Sequence, residues 1–532
     1  MKEALSTSRL IEKLEADLVA RNIRSGFSLL DEIFEVPPAL DYESPEAIPL
    51  LLCLAQWTDL GYRDNEFLDR FKAGLPDFNR SRLSVLDYLR WKLVEAYQCL
   101  ASDELERSIM LLDMVLRAGD GILPDAMTFL THFWKGRAHR KKGEYEHALL
   151  HIGVARQSAE RASAPKLVAV AKIHESWLVF QKGERRHAFQ LLDEAEAELS
   201  ATGHALSMGN IESARGRFVR RSGEYARALR HFERAIEIYS ESYPHHPNLA
   251  RALVNAAYAK RLIALDMKPR RAGGQALGVT NARYLQIFRE ALELLRRAAD
   301  IYSMHHHQAG TGSVQVNSGH LHLESGDIDC AASEAQSAFA LGEEKHDQIL
   351  MARARILQTA VELARAEEQL GENPDVSLHA NRAVRYAEEA IELAKHTQNR
   401  RLLAEAYIAR GSTAADEFFE EWETARDYAD RATALLDEDD RDHLLKELNE
   451  LKSKFLRSDC IDRRLRLWSL GEVGNKTFQQ IQEEFAELVI PKVWLKSGKN
   501  VTVVAHKLSV SPKKIRRILR NGRYVEPPAT PG

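Results

Sequence analysis

A chain of 532 residues is too long for one compact core, so it must hold several domains or a repeat array. Charged residues make up 29%, while glycine and proline number only 28 and 16, a composition of packed helices that argues against a sheet-based fold. The net charge of -4 hides an asymmetry: residues 488–525 carry ten Lys or Arg and no Asp or Glu, so that segment is +10 and the remainder is -4 minus 10, or -14.

In chain order, the first residues mix both signs of charge from position two, unlike a secretory leader. The most apolar stretch, Ile48 to Trp57, is far shorter than the roughly 20 residues that span a bilayer. Cys53, Cys99, Cys330 and Cys460 lie far apart with no CxxC pair, as expected of reduced thiols. A cytoplasmic protein with no membrane partner is expected. Residues 1–80 read as an N-terminal helical region without a clear register.

A register begins near residue 80. From Gly136, Gly143 follows at +7, Ala148 at +12, Ile152 at +16 and Ala155 at +19. The same offsets from Gly216 give Gly223, Ala228, Phe232 and Ala235, and from Ser176 they give Gly183, Ala188, Leu192 and Ala195. A weaker copy from Ala96 gives Asp103, Ser108, Leu112 and Val115. Small residues at +0, +12 and +19 let two antiparallel helices approach closely, and the glycine at +7 can take the left-handed conformation that ends a helix. A later pair spans about 248–265 and 284–302, with an insertion at 266–283 read as a loop. Gly319, Gly326, Ala331, Ala335 and Ala338 repeat the pattern, further pairs fit 347–396 and 400–436, and 438–457 reads as a polar capping helix.

This register resembles the tetratricopeptide repeat family over roughly residues 80 to 435, although Ser176 and Ala96 replace the first glycine and the closing proline is missing. The resemblance implies an all-α, tetratricopeptide-like α-solenoid, a right-handed superhelix of antiparallel helix pairs, here assigned to 81–457. It also implies a groove lined by first helices, which falls on Arg137, Arg140, Trp177, Phe180, Asn210, Arg217, Arg220, Arg251, Tyr258 and Arg261. A basic groove suits an acidic peptide or protein partner. Cations in a last helical turn also complement the helix dipole, which leaves Arg137 and Arg217 as the more informative pair.

After a linker at 458–476 comes a basic module, 477–525, with a short tail at 526–532. Its Thr502–Leu508 and Ser511–Arg520 segments, joined at Ser509-Val510, resemble the Fis-type helix-turn-helix, with Asn500, Thr502, Ala505, Leu508, Val510, Ser511, Ile515, Arg517 and Leu519 on matching positions. Ser509, Pro512 and Arg516 depart from that pattern. The resemblance implies duplex DNA binding through Thr502, Ser511, Lys513, Lys514, Arg516, Arg517 and Arg520. A DNA-binding regulator is the leading expectation, and the rival is a protein scaffold whose basic tail docks on an acidic protein or RNA. Phe478, Ile481, Phe485, Leu488 and Val489 form an apolar stripe that serves either a homodimer or the module's own core, and Pro491 is expected to interrupt that helix.

No catalytic motif occurs, so no enzyme is expected. His305, His306 and His307 are consecutive and therefore diverge on a helix, with His245 and His246 upstream, so no metal site or cofactor is expected either.

Overall fold

Small side chains at fixed spacing decide how this chain pairs its helices. In the computed structural model the described residues, 7–35, 46–63, 65–75, 83–202, 204–267, 278–369, 376–416, 418–437, 439–458, 464–465, 468, 471 and 473–521, contain helices and no strand. They form α1 (Thr7–Ala20), α2 (Ile23–Glu35), α3 (Ala47–Asp59), α4 (Asn65–Ala73), α5 (Val85–Ala101), α6 (Leu105–Ala118), α7 (Asp125–Lys142) and α8 (Tyr145–Arg161). Next come α9 (Pro165–Gln181), α10 (Arg185–Leu199), α11 (Ala205–Arg221), α12 (Tyr225–Ser242), α13 (Pro247–Met267), α14 (Gly278–Met304), α15 (Gln308–Ser325) and α16 (Ile328–Lys345). The array ends with α17 (Gln348–Glu368), α18 (Val376–Lys395), α19 (Arg400–Ala414), α20 (Trp422–Thr433) and α21 (His443–Ser458). Each packs chiefly on its sequence neighbour, which makes a tetratricopeptide-like α-solenoid.

The small residues at +12 and +19 are buried as close helix packing requires. Ala148, Ala188 and Ala228 at +12, and Ala155, Ala195 and Ala235 at +19, have no exposed surface. A Cβ on Gly216 would lie 2.6 Å from the Phe232 ring, so hydrogen alone fits there. The +7 residues turn left-handed, Gly223 at φ 78° and Gly143 at φ 83°. Asp103 takes the same conformation at φ 59° without being glycine. Aspartate tolerates it better than most residues, and its carboxylate accepts from Lys141 Nζ at 2.5 Å across the helix pair.

Two differences from the sequence reading have simple causes. α14 begins at Gly278, inside the stretch expected to be a loop, because no proline after Pro269 blocks helix growth toward the N-terminus; residues 268–277 lie outside the described set. The helix Phe478–Lys496 runs through Pro491, where interruption was expected. A mid-helix proline costs about 3 kcal/mol, which burial of Ile490, Pro491 and Trp494 together offsets.

The chain divides into two units, Met1–Leu451 and Lys452–Gly532. Within the first, turns of the early repeats meet the late ones: Gln398 N–H donates to Gly143 O at 2.9 Å and Arg441 N–H donates to Arg221 O at 3.0 Å. The second unit holds the helices Phe478–Lys496, Val501–Leu508 and Pro512–Asn521 around Ile490, Trp494, Val504, Ile515, Ile518 and Leu519. Most of 458–476 and all of 526–532 lie outside the described residues. No described helix is long and apolar enough to cross a membrane.

Candidate functional site: an arginine-lined cavity

Helical spacing aims a row of cations at the inside of the solenoid. On α7, Phe133, Arg137 and Arg140 share one face at i, i+4 and i+7; on α11, Asn210, Ser213, Arg217 and Arg220 do the same. Arg251 and Tyr258 on α13 continue the row. α7 and α13 contribute to the lining of a cavity of about 960 Å³, joined to a chamber of about 380 Å³ that α11 faces with Asn210, Ser213 and Arg217; the shared walls include Asp59, Arg137, Arg140, His246, Asn248 and Arg251. The chamber's far wall is apolar, with Phe129, Leu130, Phe133, Leu167, Val170 and Leu206.

The arginines fall into two states. Arg137 is balanced, because Asp59 Oδ2 accepts from it at 2.5 Å and from Trp134 Nε1 at 3.0 Å. Arg261 is balanced by Glu324. Arg140, Arg217, Arg220 and Arg251 have no carboxylate partner among the described residues. Arg251 donates to Asn248 Oδ1 at 2.6 Å, and Arg220 donates to Asn255 Oδ1 at 3.2 Å. Aromatic faces take part of the charge: Arg140 and Arg217 each sit 5.9 Å from the Trp177 ring, and Arg220 sits 4.6 Å from Tyr258.

Burial pushes Arg217 well down from the ordinary guanidinium value, and the charges of Arg251, Arg140 and Arg220 push it further. A guanidinium nonetheless keeps its proton, so the cost stays as repulsion, roughly 2 kcal/mol for like charges about 8 Å apart at an effective dielectric of about 20. A bound anion removes that cost. His174, pushed well below the imidazole range by burial and then by Arg140, is neutral, and its Nδ1 has no hydrogen-bond partner. His246, driven to about 3 by burial and then by Arg251, is neutral as well. Neither histidine therefore adds charge to the chamber.

Of the residues expected in the groove, Arg137, Arg140, Asn210, Arg217 and Arg251 line these cavities, whereas Trp177, Arg220, Tyr258 and Arg261 do not, and neither does the Phe180 ring. That ring is 2% exposed and stacks on Phe218 at 4.0 Å, one layer behind the cavity, because its helix turns it toward α11. Lys141 pairs with Asp103, while His174 and His246 join the site unannounced. His174 lies three residues before Trp177 on one helix face, which could have marked it. The consecutive histidines do not converge: His305 Nε2 lies 2.5 Å from His245 O, and His307 accepts from Gly310 N–H as an N-cap.

Residues 207–264 match the tetratricopeptide repeat family model, which covers most of α11 to α13 and so Arg217, Arg220 and Arg251, but not Arg137 or Arg140 on α7. The fold is similar to that of a Rap protein complexed with competence and sporulation factor, at 15% identity and a TM-score of 0.51, over 77% of this chain and 100% of that one. Looser likenesses are NprR in complex with its cognate peptide NprX, at 12% identity and a TM-score of 0.45 over 73% of this chain and 99% of that one. Human IFIT1 dimer with m7Gppp-AAAA stands at 13% and 0.43 over 82% and 91%. No curated protein is detectably similar in sequence.

In the second unit, Ser509 at φ 50° turns the chain between two short helices, and Ser511 Oγ accepts from Lys514 N–H at 3.3 Å as an N-cap. Thr502, Lys513, Arg516 and Arg520 are exposed, and Lys514 is half-buried. Arg517, also exposed, pairs with Glu483 at 3.2 Å. Phe478 and Phe485 remain exposed, at 74% and 49%, whereas Ile490 and Trp494 form the core.

Proposed function

We propose that this protein is a regulator whose solenoid cavity captures a short acidic peptide segment and whose C-terminal module engages duplex DNA. The observation that carries the first half is the set Arg140, Arg217 and Arg251, none with a carboxylate partner among the described residues, which together line the chamber of about 380 Å³, Arg140 and Arg251 also lining the adjoining cavity of about 960 Å³. Cavities of this size take a ligand of drug or short-peptide size and not a folded domain. The apolar wall of the adjoining chamber supplies hydrophobic contacts beside the cations. The Rap protein of similar fold, bound to competence and sporulation factor, is in keeping with such a ligand.

The test is capture of fluorescent acidic peptides from a random library. Changing Arg217 and Arg251 together to Gln should weaken the best binder about a hundredfold, as expected when two charge-assisted contacts are lost. Unchanged capture would move the site out of the cavity. Arg137→Gln is not the variant of choice, since it would strand Asp59.

What supports the DNA half is the exposed row Lys513, Arg516 and Arg520 on a helix whose first turn is capped by Ser511. Changing Lys513 and Arg516 to Ala should flatten the salt dependence of duplex binding by roughly one unit per lost phosphate contact. Retention on RNA or an acidic protein with no duplex binding would favour the scaffold reading. Light scattering on the full chain addresses the homodimer that the exposed Phe478 and Phe485 would serve.

A further inference from the structure

α7 and α8 together carry a second cluster, of histidines, which the peptide proposal does not use, although Glu144 beside it also lines the larger cavity. His132 and His139 lie seven residues apart on α7, and His147 and His151 lie four apart on α8, with Glu144 three residues before His147. Antiparallel pairing brings these into one run. His139 stacks between His147 and His151, at ring separations of 5.3 and 5.5 Å, and His132 Nδ1 lies 2.9 Å from His151 Nδ1. His139 Nδ1 lies 2.5 Å from Glu144 Oε2. One ligand atom each from His139, Glu144 and His147 can be chosen so that all lie within 4.8 Å of one another.

We propose that His139, Glu144 and His147 bind a divalent transition cation of the zinc class. Two imidazole nitrogens and one carboxylate oxygen are a borderline donor set that suits zinc. Bond lengths near 2.0–2.1 Å place tetrahedral donors about 3.3 Å apart, so the donors must close by about an ångström. His147 is exposed and Glu144 half-buried, which leaves both free to rotate. His139 is only 8% exposed, and its Nε2 has no partner, so its ring is anchored while its hydrogen bonding is incomplete.

Nearby charges permit a cation. Lys142 Nζ holds Glu144 Oε1 at 2.9 Å and has a second carboxylate, Glu106, at 3.4 Å, which leaves Glu144 Oε2 to exchange its contact with His139 Nδ1 for the metal. Lys135 is neutralised by Asp113 at 2.6 Å. The three donors flank the turn whose Gly143 O accepts from Gln398 N–H, and Glu146 N–H donates to Gln398 Oε1 at 2.7 Å. A cation here ties α7 to α8 at the seam between early and late repeats.

The experiment uses the full chain without an affinity tag, stripped with chelator and titrated with zinc chloride by calorimetry, then with cobalt(II) as a spectroscopic probe. One zinc per chain, with visible cobalt bands of four-coordinate intensity, is the expected result. His147→Ala and Glu144→Gln should each weaken zinc more than about tenfold and reduce the cobalt bands. His322→Ala, in the separate grouping of His322, Asp327 and Cys330, should change neither. Absence of zinc binding, binding indifferent to His147→Ala, or binding lost with His322→Ala each overturns the proposal.

Discussion

Arg217 and Arg221 stand one turn apart on α11 and end in opposite states. At the rim, Arg221, Arg185 and Arg401 converge on Asp440, whose side chain has no exposed surface. Arg221 reaches Asp440 at 3.1 Å and Asp437 at 2.8 Å, and Arg401 reaches Asp440 at 2.7 Å. On the cavity floor, Arg217, Arg140 and Arg251 meet one another, an indole face and amide oxygens. The same residue type on the same helix is structural where a carboxylate closes it and ligand-seeking where none does. What separates the two is a partner 219 residues away in sequence.

The largest effect should come from breaking the rim. Asp440→Ala leaves three guanidinium groups at a buried hub and should cost about 3–5 kcal/mol in urea unfolding. The pH dependence follows with a definite sign. Burial raises the Asp440 carboxyl, but the hydrogen bond from Arg221 and the charges of Arg401, Arg221 and Arg185 carry it below its ordinary value. A depressed folded value means stability that is present above the unfolded carboxylate range, near pH 4, and lost as pH falls below it. Wild type should weaken through that window more steeply than Asp440→Ala. Equal slopes would show that the hub is not the acid-sensitive element.

A packing change between rim and floor sharpens the contrast. Gly216→Val places new atoms against the Phe232 ring, where a Cβ alone would sit at 2.6 Å. Overpacking of this kind costs about 1–3 kcal/mol, read as a lower melting temperature. Because α11 carries both Arg217 and Arg221, forcing it from α12 should weaken peptide capture and rim stability together. A variant that loses only one of the two would show that floor and rim are supported by different helices.

How much of this was legible follows from which contacts are local. Ala148, Ala188 and Ala228 are readable because each packs on the helix just before it, and the spacing that buries them is written within one repeat. Asp103 shows the limit, since it keeps the left-handed backbone of a glycine position through a bond to Lys141 that no local pattern predicts. Arg137 and Arg217 looked equivalent, yet Asp59, from a region without register, neutralises only the first. Asp437, Asp440 and Asp442 read as the polar start of a cap because their partners are Arg221 and Arg401 on other repeats. The histidine run escaped for a related reason: consecutive histidines catch the eye, whereas His132, His139, His147 and His151 meet only after α7 and α8 pair.

The smallest effect is also the one that separates floor from rim most cleanly. Arg217→Met keeps an unbranched apolar stem and removes the charge. The variant forfeits one cation–π contact with Trp177, worth about 0.5–1 kcal/mol at an incompletely buried site, together with a 3.4 Å bond to Ser213 O. Against this it removes repulsion from Arg251, Arg140 and Arg220, which the suppressed guanidinium of Arg217 registers. These terms oppose each other at similar size, so without ligand the unfolding free energy should move by less than about 1 kcal/mol and in either direction. Arg221→Met, four residues on, should cost about 3–5 kcal/mol because it takes the cation from Asp437 and one of three from the buried Asp440. If Arg217→Met proved as damaging as Arg221→Met in urea, the floor would be a structural charge network like the rim, and its arginines would have no charge to spare for a ligand.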